Sequence, residues 1–297
     1  MLTLIPTLLA LAAPATVADH PVLVDVAWVA ERLADPRLVV IQVGPREEYD
    51  RAHLPGSVWL NPFDDMAAPR GGPLRLELPA PDALQARLRA AGMNDDSYVV
   101  LVFSGGWITP TGRAFMTLEW AGLRGRVSLL DGGLDAWSAA GRPVTTEVPA
   151  PRAGPVPGRP DRSLVVSLPW LRDRLQDPAV AVIDARTPEF YHDTQDNRMP
   201  RGGHIPGAGN VPFNSLTLEP AHRLKPAADL AAAFAGAGAT QGKRVVTYCH
   251  IGQQASWVYF VARALGYEAS LFDGSFEAWS ADASVPVAGD RPRNPNR

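Results

Sequence analysis

Mainly apolar runs of four to six residues recur along this chain, separated by stretches with helical periodicity. Leu38–Val43, Tyr98–Phe103 and Val127–Leu130 are such runs, as are Val180–Ala185, Arg244–Cys249 and Ala269–Phe272. They are too short for helices and do not alternate apolar with polar, so they predict strands buried on both faces, as in a parallel sheet. Helices are predicted at Val26–Leu33 and Leu168–Leu175, each with Trp and Leu on one face. Others are predicted at Pro81–Ala91 and Ala227–Ala235, and again after Phe103 and after Cys249. Strands alternating with helices predict an α/β fold, with mainly parallel sheets covered by helices on both faces.

The pattern occurs twice. Trp28, Asp35-Pro36 and Val40-Ile41 match Trp170, Asp177-Pro178 and Val182-Ile183, each pair 142 residues apart. His53-Leu54-Pro55-Gly56 matches His204-Ile205-Pro206-Gly207 at a separation of 151, and Asp131-Gly132…Ala136-Trp137 matches Asp273-Gly274…Ala278-Trp279 at 142. An ordered series of matches with loop-sized changes of offset indicates a duplicated domain rather than a solenoid. The expected organisation is an N-terminal domain at 22–145, a Pro-rich linker at 146–163 and a C-terminal domain at 164–288. Asp273 is expected to cap its own turn, and the two histidines to belong to turns.

Composition narrows the classes. A charge of −3 with 20% charged residues gives no general attraction to nucleic acid or anionic membranes. One cysteine excludes an internal disulfide and any Cys-rich zinc site, and the six histidines show no metal spacing. No metal and no cofactor is expected. Residues 1–18 carry no charge and end in small side chains, so they read as a removable signal peptide, with a non-cleaved extension as the alternative. An exported, periplasmic protein is the reading taken, with a cytoplasmic one as the alternative. No later segment is long and apolar enough to span a bilayer.

The chemistry concentrates at the single cysteine. Val245–Tyr248 is a β-prone run, Cys249 follows it, and His250-Ile251-Gly252-Gln253-Gln254-Ala255 leads into a helical stretch. Strand, tight loop and helix place Cys249 at the carboxyl end of a strand, with loop amides and a helix N-terminus turned toward the sulfur. That frame favours an anion and predicts a lowered thiol pKa and a reactive, sulfur-carrying nucleophile. His250 is expected to add a donor or a positive charge, so that donor kcat/KM falls as pH rises through about 6–7. Gln253, Gln254 and Ser256 would add neutral hydrogen bonds.

The duplicated unit resembles the tandem-domain rhodanese family, the thiosulfate and 3-mercaptopyruvate sulfurtransferases. The resemblance rests on Asp184-Ala185-Arg186, Gly203-His204-Ile205-Pro206-Gly207-Ala208, Tyr248-Cys249 with its loop, and Phe272-Asp273-Gly274-Ser275-Phe276-Glu277-Ala278-Trp279. It implies two rhodanese-like domains, the C-terminal one catalytic and the N-terminal one without its cysteine, with Ser104 as the inactive counterpart of Cys249. It also implies transfer of sulfur from thiosulfate or a related donor through a Cys249 persulfide to cyanide or a thiol. A protein thiol is a further candidate acceptor. Asp184 and Arg186 resemble a supporting ion pair beneath the loop.

The departures concern the donor. Family thiosulfate enzymes resemble Cys-Arg-Lys-Gly-Val-Thr at the loop and mercaptopyruvate enzymes Cys-Gly-Ser-Gly-Val-Thr; this loop is neither. Phe190 stands where the family has a donor-reading arginine, and Arg198 and Arg201 are candidate replacements for its charge. Trp107 is a candidate wall of the site. A Cys-based phosphatase is disfavoured because Ala255 stands where its oxyanion-gripping arginine would be. A non-enzymatic persulfide carrier or binding module is the remaining alternative, since fold alone does not fix function.

Overall fold

The computed structural model describes residues 20–150, 159–196 and 198–289. The expected leader at 1–18 and residues 151–158 of the expected linker lie outside the described residues. Two parallel sheets carry the fold. The first contains β1 (Leu23–Val24), β2 (Leu38–Val43), β3 (Val58–Trp59), β4 (Tyr98–Phe103) and β5 (Val127–Leu130), in the order β1-β5-β4-β2-β3. The second contains β6 (Val180–Asp184) and β7 (Gly209–Asn210). A short antiparallel pair follows, β8 (Thr217–Leu218) and β9 (Arg223–Leu224). The sheet is completed by β10 (Arg244–Tyr248) and β11 (Ala269–Leu271), in the order β11-β10-β6-β7. A parallel bridge from Val165 to Leu271 stands where β1 pairs with β5 in the first sheet.

Helices α1 (Val26–Arg32), α2 (Arg46–Arg51), α3 (Pro81–Ala90), α4 (Ile108–Leu118) and α5 (Gly133–Ala139) accompany the first sheet. The second has α6 (Leu168–Arg172), α7 (Pro188–Tyr191), α8 (Ala227–Gly236), α9 (Gln253–Ala264) and α10 (Ser275–Ala281). The apolar sides sort into three cores. Val29 of α1 and Trp137 of α5 cover one face of the first sheet. Leu171 of α6 with Phe276 and Trp279 of α10 cover one face of the second. The two remaining faces share a single core, built from Leu84, Phe115, Phe234, Trp257 and Phe260 among others. The domains are therefore joined by a continuous hydrophobic layer.

Helices α4 and α9 cross at the centre of that layer. A Cβ on Gly112 would lie 2.6 Å from the Trp257 Cα, so only glycine permits so close a backbone approach. Phe115 meets Phe260 edge to face with ring centroids 5.0 Å apart. Around this crossing sits a buried polar group, in which Glu119 accepts from the Tyr259 hydroxyl at 2.5 Å and from Arg263 Nε at 3.1 Å.

The duplication extends to individual hydrogen bonds. His53 and His204 each bind a tyrosine carbonyl through Nδ1, at 2.7 Å to Tyr49 and 2.9 Å to Tyr191, and stack on that tyrosine's ring. Trp137 and Trp279 each donate to a proline carbonyl at 2.8 Å, Pro143 and Pro286. The paired Asp-Gly turns differ from expectation. Asp273 does not serve its own turn alone: it accepts from the Leu78 amide at 2.9 Å and pairs with the buried Arg113 at 2.6 Å, both in the other domain. Asp131 reciprocates, accepting from the Leu224 amide at 3.0 Å. Each domain thus grips the segment that precedes α3 or α8 in its partner.

Candidate active site

Strand β10 runs through the interior of its sheet, paired with β6 and β11, and Cys249 is the first residue beyond it. The loop closes at Gly252, whose φ of 91° is the left-handed conformation that glycine adopts freely. A Cβ there would also lie 3.1 Å from Arg113 Nη1 and 3.2 Å from the Asp273 carbonyl oxygen. Helix α9 starts at the next residue. The Gly252 amide donates to Cys249 Sγ at 3.2 Å, and the amides of Ala255, Ile251 and Gln254 also favour negative charge on the sulfur. The backbone path is held from behind by α10. Phe276 and Glu277 donate to the carbonyls of Cys249 and His250 at 2.9 and 3.0 Å, and the Cys249 amide donates to Ser275 Oγ at 3.2 Å. Ser275 was not a candidate from sequence, although it lies in the segment that carries the family resemblance.

Burial corrects the expected thiol pKa. Cys249 is 1% exposed. Desolvation pushes its thiol up and outweighs the amides that pull it down, so the resting group lies above the ordinary thiol range rather than below it. Burial corrects His250 as well. Desolvation, helped by the Arg186 charge, lowers its pKa to about 4, against smaller opposing effects of Asp184 and Gln254. The imidazole is neutral at physiological pH and supplies no cation. Its ring meets Phe190 edge to face at 4.6 Å.

Asp184 and Arg186 form a wholly buried pair at the end of β6. Arg186 Nη2 donates to Asp184 Oδ2 at 2.6 Å and to the Gly203 carbonyl at 2.8 Å, while Nε donates to Oδ1 at 3.0 Å. The guanidinium lies over the Phe276 ring at 4.2 Å, which ties the pair to the helix that holds the cysteine loop. Burial and the neighbouring Asp184 carboxylate keep the Tyr248 hydroxyl protonated.

The other candidates separate. Arg201 donates to four backbone carbonyls, those of Trp279, Ser280, Asp282 and Val285, so it clasps the end of α10 and its N–H groups are largely taken up there. Arg198 is exposed and lines an opening of about 210 Å³ together with His250, Ile251, Phe190 and Arg75. Arg75 comes from the N-terminal domain and was missed, because it lies in a Gly- and Pro-rich stretch outside the repeat. The Gln253 side chain donates to Thr109 Oγ1 of α4 at 3.0 Å, so it serves the domain contact rather than the sulfur. Ser256 donates to the Gly252 carbonyl one turn back. Trp107 packs on Phe63 and the shared core and does not line the opening.

Two alignments place the counterpart of Cys249 one residue apart. Strand register aligns Gln42 with Val102 and Asp184 with Tyr248, which carries Cys249 onto Phe103. Aligning the first residues of α4 and α9, Ile108 and Gln253, carries it onto Ser104. From the register-equivalent residues Val102 and Tyr248 to the helix starts at Ile108 and Gln253, the N-terminal path is therefore one residue longer. Gln42 and Gly44 stand where the ion pair is in the other domain, and a Cβ on Gly44 would meet Ser104 Oγ at 2.1 Å. Ser104 packs against Gly44, the counterpart of Arg186 in the repeat, and leaves no room for a side chain there. Among the described residues no group of three or more His, Cys, Asp or Glu is placed to hold a metal.

Two parallel α/β units and a lone cysteine ringed by loop amides define a cysteine-centred group-transfer protein. The rhodanese-like domain model matches residues 25–140 and 167–282, and the chain belongs to the rhodanese family of sulfurtransferases. It is 30% identical over 274 residues to the thiosulfate sulfurtransferase of Azotobacter vinelandii, covering 91% of this chain and 98% of that one. It is 34% identical over 274 residues to a probable 3-mercaptopyruvate sulfurtransferase of Pseudomonas aeruginosa, covering 87% and 95%. The crystal structure of SseA from Escherichia coli, a 3-mercaptopyruvate sulfotransferase, superposes with a TM-score of 0.74 at 26% identity, covering 86% of this chain and 99% of that one. No helix among the described residues is long and apolar enough to cross a membrane.

Proposed function

We propose that this sulfurtransferase takes sulfur from thiosulfate onto Cys249 and delivers it to cyanide or a thiol, including a protein thiol. The converging amides of Ile251, Gly252, Gln254 and Ala255 carry the reading. The Cys249 thiolate attacks the outer sulfur of thiosulfate, a new S–S bond forms, the old one breaks, and its electron pair leaves with sulfite. The terminal sulfur of a persulfide is more acidic than a thiol, so the loaded enzyme holds an anion where the resting one holds a proton. Preorganised amides stabilise that charge without reorganising. Cyanide or a thiolate then attacks the outer sulfur and returns Cys249 to the thiolate. The N-terminal domain, with Phe103 and Ser104 in place of a cysteine, takes no part in the bond changes.

The uncharged loop favours a second reading, 3-mercaptopyruvate, which brings a single carboxylate and needs less positive charge near the sulfur. Side-by-side kcat/KM values separate the two. Thiosulfate is expected to exceed 3-mercaptopyruvate by about tenfold or more, about 1.4 kcal/mol in transition-state stabilisation; the reverse order would replace the first reading by the second.

The pH profile follows from the two shifted groups. Because burial raises the Cys249 pKa, the thiolate fraction grows about tenfold per pH unit across the neutral range, and donor kcat/KM is expected to climb from about pH 7 to 9. His250, at about 4, is already neutral throughout and imposes no falling limb. Steady-state rates in constant ionic strength buffers test this. A decline through pH 6–7 would restore a charged His250.

A further inference from the structure

The opening above the cysteine loop is not built by the catalytic domain alone. Arg198, from the segment after α7, and Arg75, from the other domain, both line the cavity of about 210 Å³ together with His250 and Ile251. Arg75 is not a loose surface charge. Its backbone amide donates to Glu277 Oε2 at 2.7 Å and its Nε to Glu277 Oε1 at 2.6 Å, so one carboxylate of α10 fixes both its main chain and its guanidinium. Glu277 in turn donates its own amide to the His250 carbonyl at 3.0 Å, so the residue that anchors Arg75 also holds the cysteine loop. The carboxylate occupies the Nε edge of the guanidinium. Among the described residues no hydrogen bond engages its two Nη groups.

We infer that Arg75, fixed by Glu277, is a specificity-determining residue that reads the anionic end of the sulfur donor from the non-catalytic domain, in the cavity it shares with Arg198. The inference rests on the sulfur-transfer reading of Cys249 and deepens it by assigning donor recognition to both domains. A guanidinium with a free pair of N–H groups suits a planar carboxylate or a sulfonate-type group. The cavity's own carboxylate, Asp196, has Oδ1 bound by the Arg198 amide at 2.9 Å. Arg75 and Arg198 bring two cations to the rim, against Asp196 in the lining and Glu277 on the Nε edge of Arg75, where His250 is neutral and the N–H groups of Arg201 are bound by carbonyls. Electrostatic reach from Arg75 into the site is consistent with its being among the charges that depress the His250 pKa. An exposed rim charge acts mainly on capture of the donor and is screened by salt.

Because the chain has one cysteine, its charge environment can be read without turnover. Anionic iodoacetate and neutral iodoacetamide alkylate Cys249 by the same step: the thiolate attacks the methylene carbon, a C–S bond forms, and iodide leaves with the electron pair. Mass spectrometry of full-length protein gives the ratio of the two rates. For Arg75→Ala the iodoacetate to iodoacetamide ratio is expected to fall about fivefold to tenfold at about 50 mM salt, the gap closing near 1 M as the screening length shortens to about 3 Å. Arg75→Lys should recover part of the ratio. In turnover, thiosulfate kcat/KM should fall about tenfold in Arg75→Ala, while KM for dithiothreitol, an acceptor without charge, stays within twofold. An unchanged ratio in a variant that still loads one sulfur overturns the assignment of Arg75 and leaves the sulfur-transfer reading intact. A wild-type protein that loads no sulfur from any donor overturns that reading, and the alkylation ratio still decides whether Arg75 steers anions to Cys249.

Discussion

Replacing Cys249 with serine is expected to abolish sulfur uptake. Wild-type protein incubated with thiosulfate should gain the mass of one sulfur atom and lose it on addition of cyanide, and Cys249→Ser should show neither change. Stoichiometry is decisive, because Cys249 is the only cysteine among 297 residues and no second thiol can accept the label. The serine hydroxyl fits the same volume and can still accept from the Gly252 amide, so the loop and the anion-stabilising amides remain. What is lost is the sulfur–sulfur bond itself. Deleting an essential nucleophile elsewhere costs on the order of 10⁶ in kcat, and thiocyanate formation here should fall by at least about 10⁴-fold. Circular dichroism and the thermal midpoint establish that the variant folds. Residual turnover within tenfold of wild type would place the chemistry on another group and remove Cys249 from its role.

The features legible in the sequence are those with obligatory local geometry. Asp-Pro before a strand, His-x-Pro-Gly in a turn and Asp-Gly before Ala-Trp each fix a backbone path or a side-chain bond. Their recurrence exposed both domains, and the strand–loop–helix around Cys249 followed from the same logic. Depth was not legible. The frame supplied the amides around the sulfur but not the 1% exposure that raises its pKa, nor the burial that takes the charge from His250. A one-residue difference in path leaves no local mark either, so the offset between Phe103 and Ser104 shows only once strand register is set beside the helix starts. Arg75 was invisible for a third reason. It lies in residues 70–79, where no matching residues mark the repeat, and its place at the site depends on how the domains dock. Arg201 and Arg198 looked alike as loop cations, and only the four carbonyls around Arg201 separate a structural clasp from an available charge.

The largest stability effect is expected at the ion pair beneath the loop. Asp184→Ala leaves the Arg186 guanidinium with no counter-ion in a wholly buried site, retaining only the Gly203 carbonyl as a hydrogen-bond acceptor. Removing one partner of a buried pair typically costs about 3–5 kcal/mol, because the surviving charge stays desolvated and unpaired. For domains of this size that lowers the thermal midpoint by roughly 10 °C. Urea titration measures the loss directly, and a change below about 1 kcal/mol would mean that water reaches Arg186 and the pair is not buried in solution. A double variant, Asp184→Leu with Arg186→Met, separates stability from function. An apolar replacement of a buried pair is often close to neutral in stability, so the double variant should regain most of what Asp184→Ala loses. It should not regain sulfur loading. Arg186 lies over Phe276, whose amide holds the Cys249 carbonyl, and its Nη2 binds the Gly203 carbonyl. With the pair gone, the loop amides lose the support that aims them at one point. A double variant that is stable and still loads Cys249 at the wild-type rate would reduce the pair to packing. One that is stable yet slow would assign it the task of positioning the amides on which the persulfide depends.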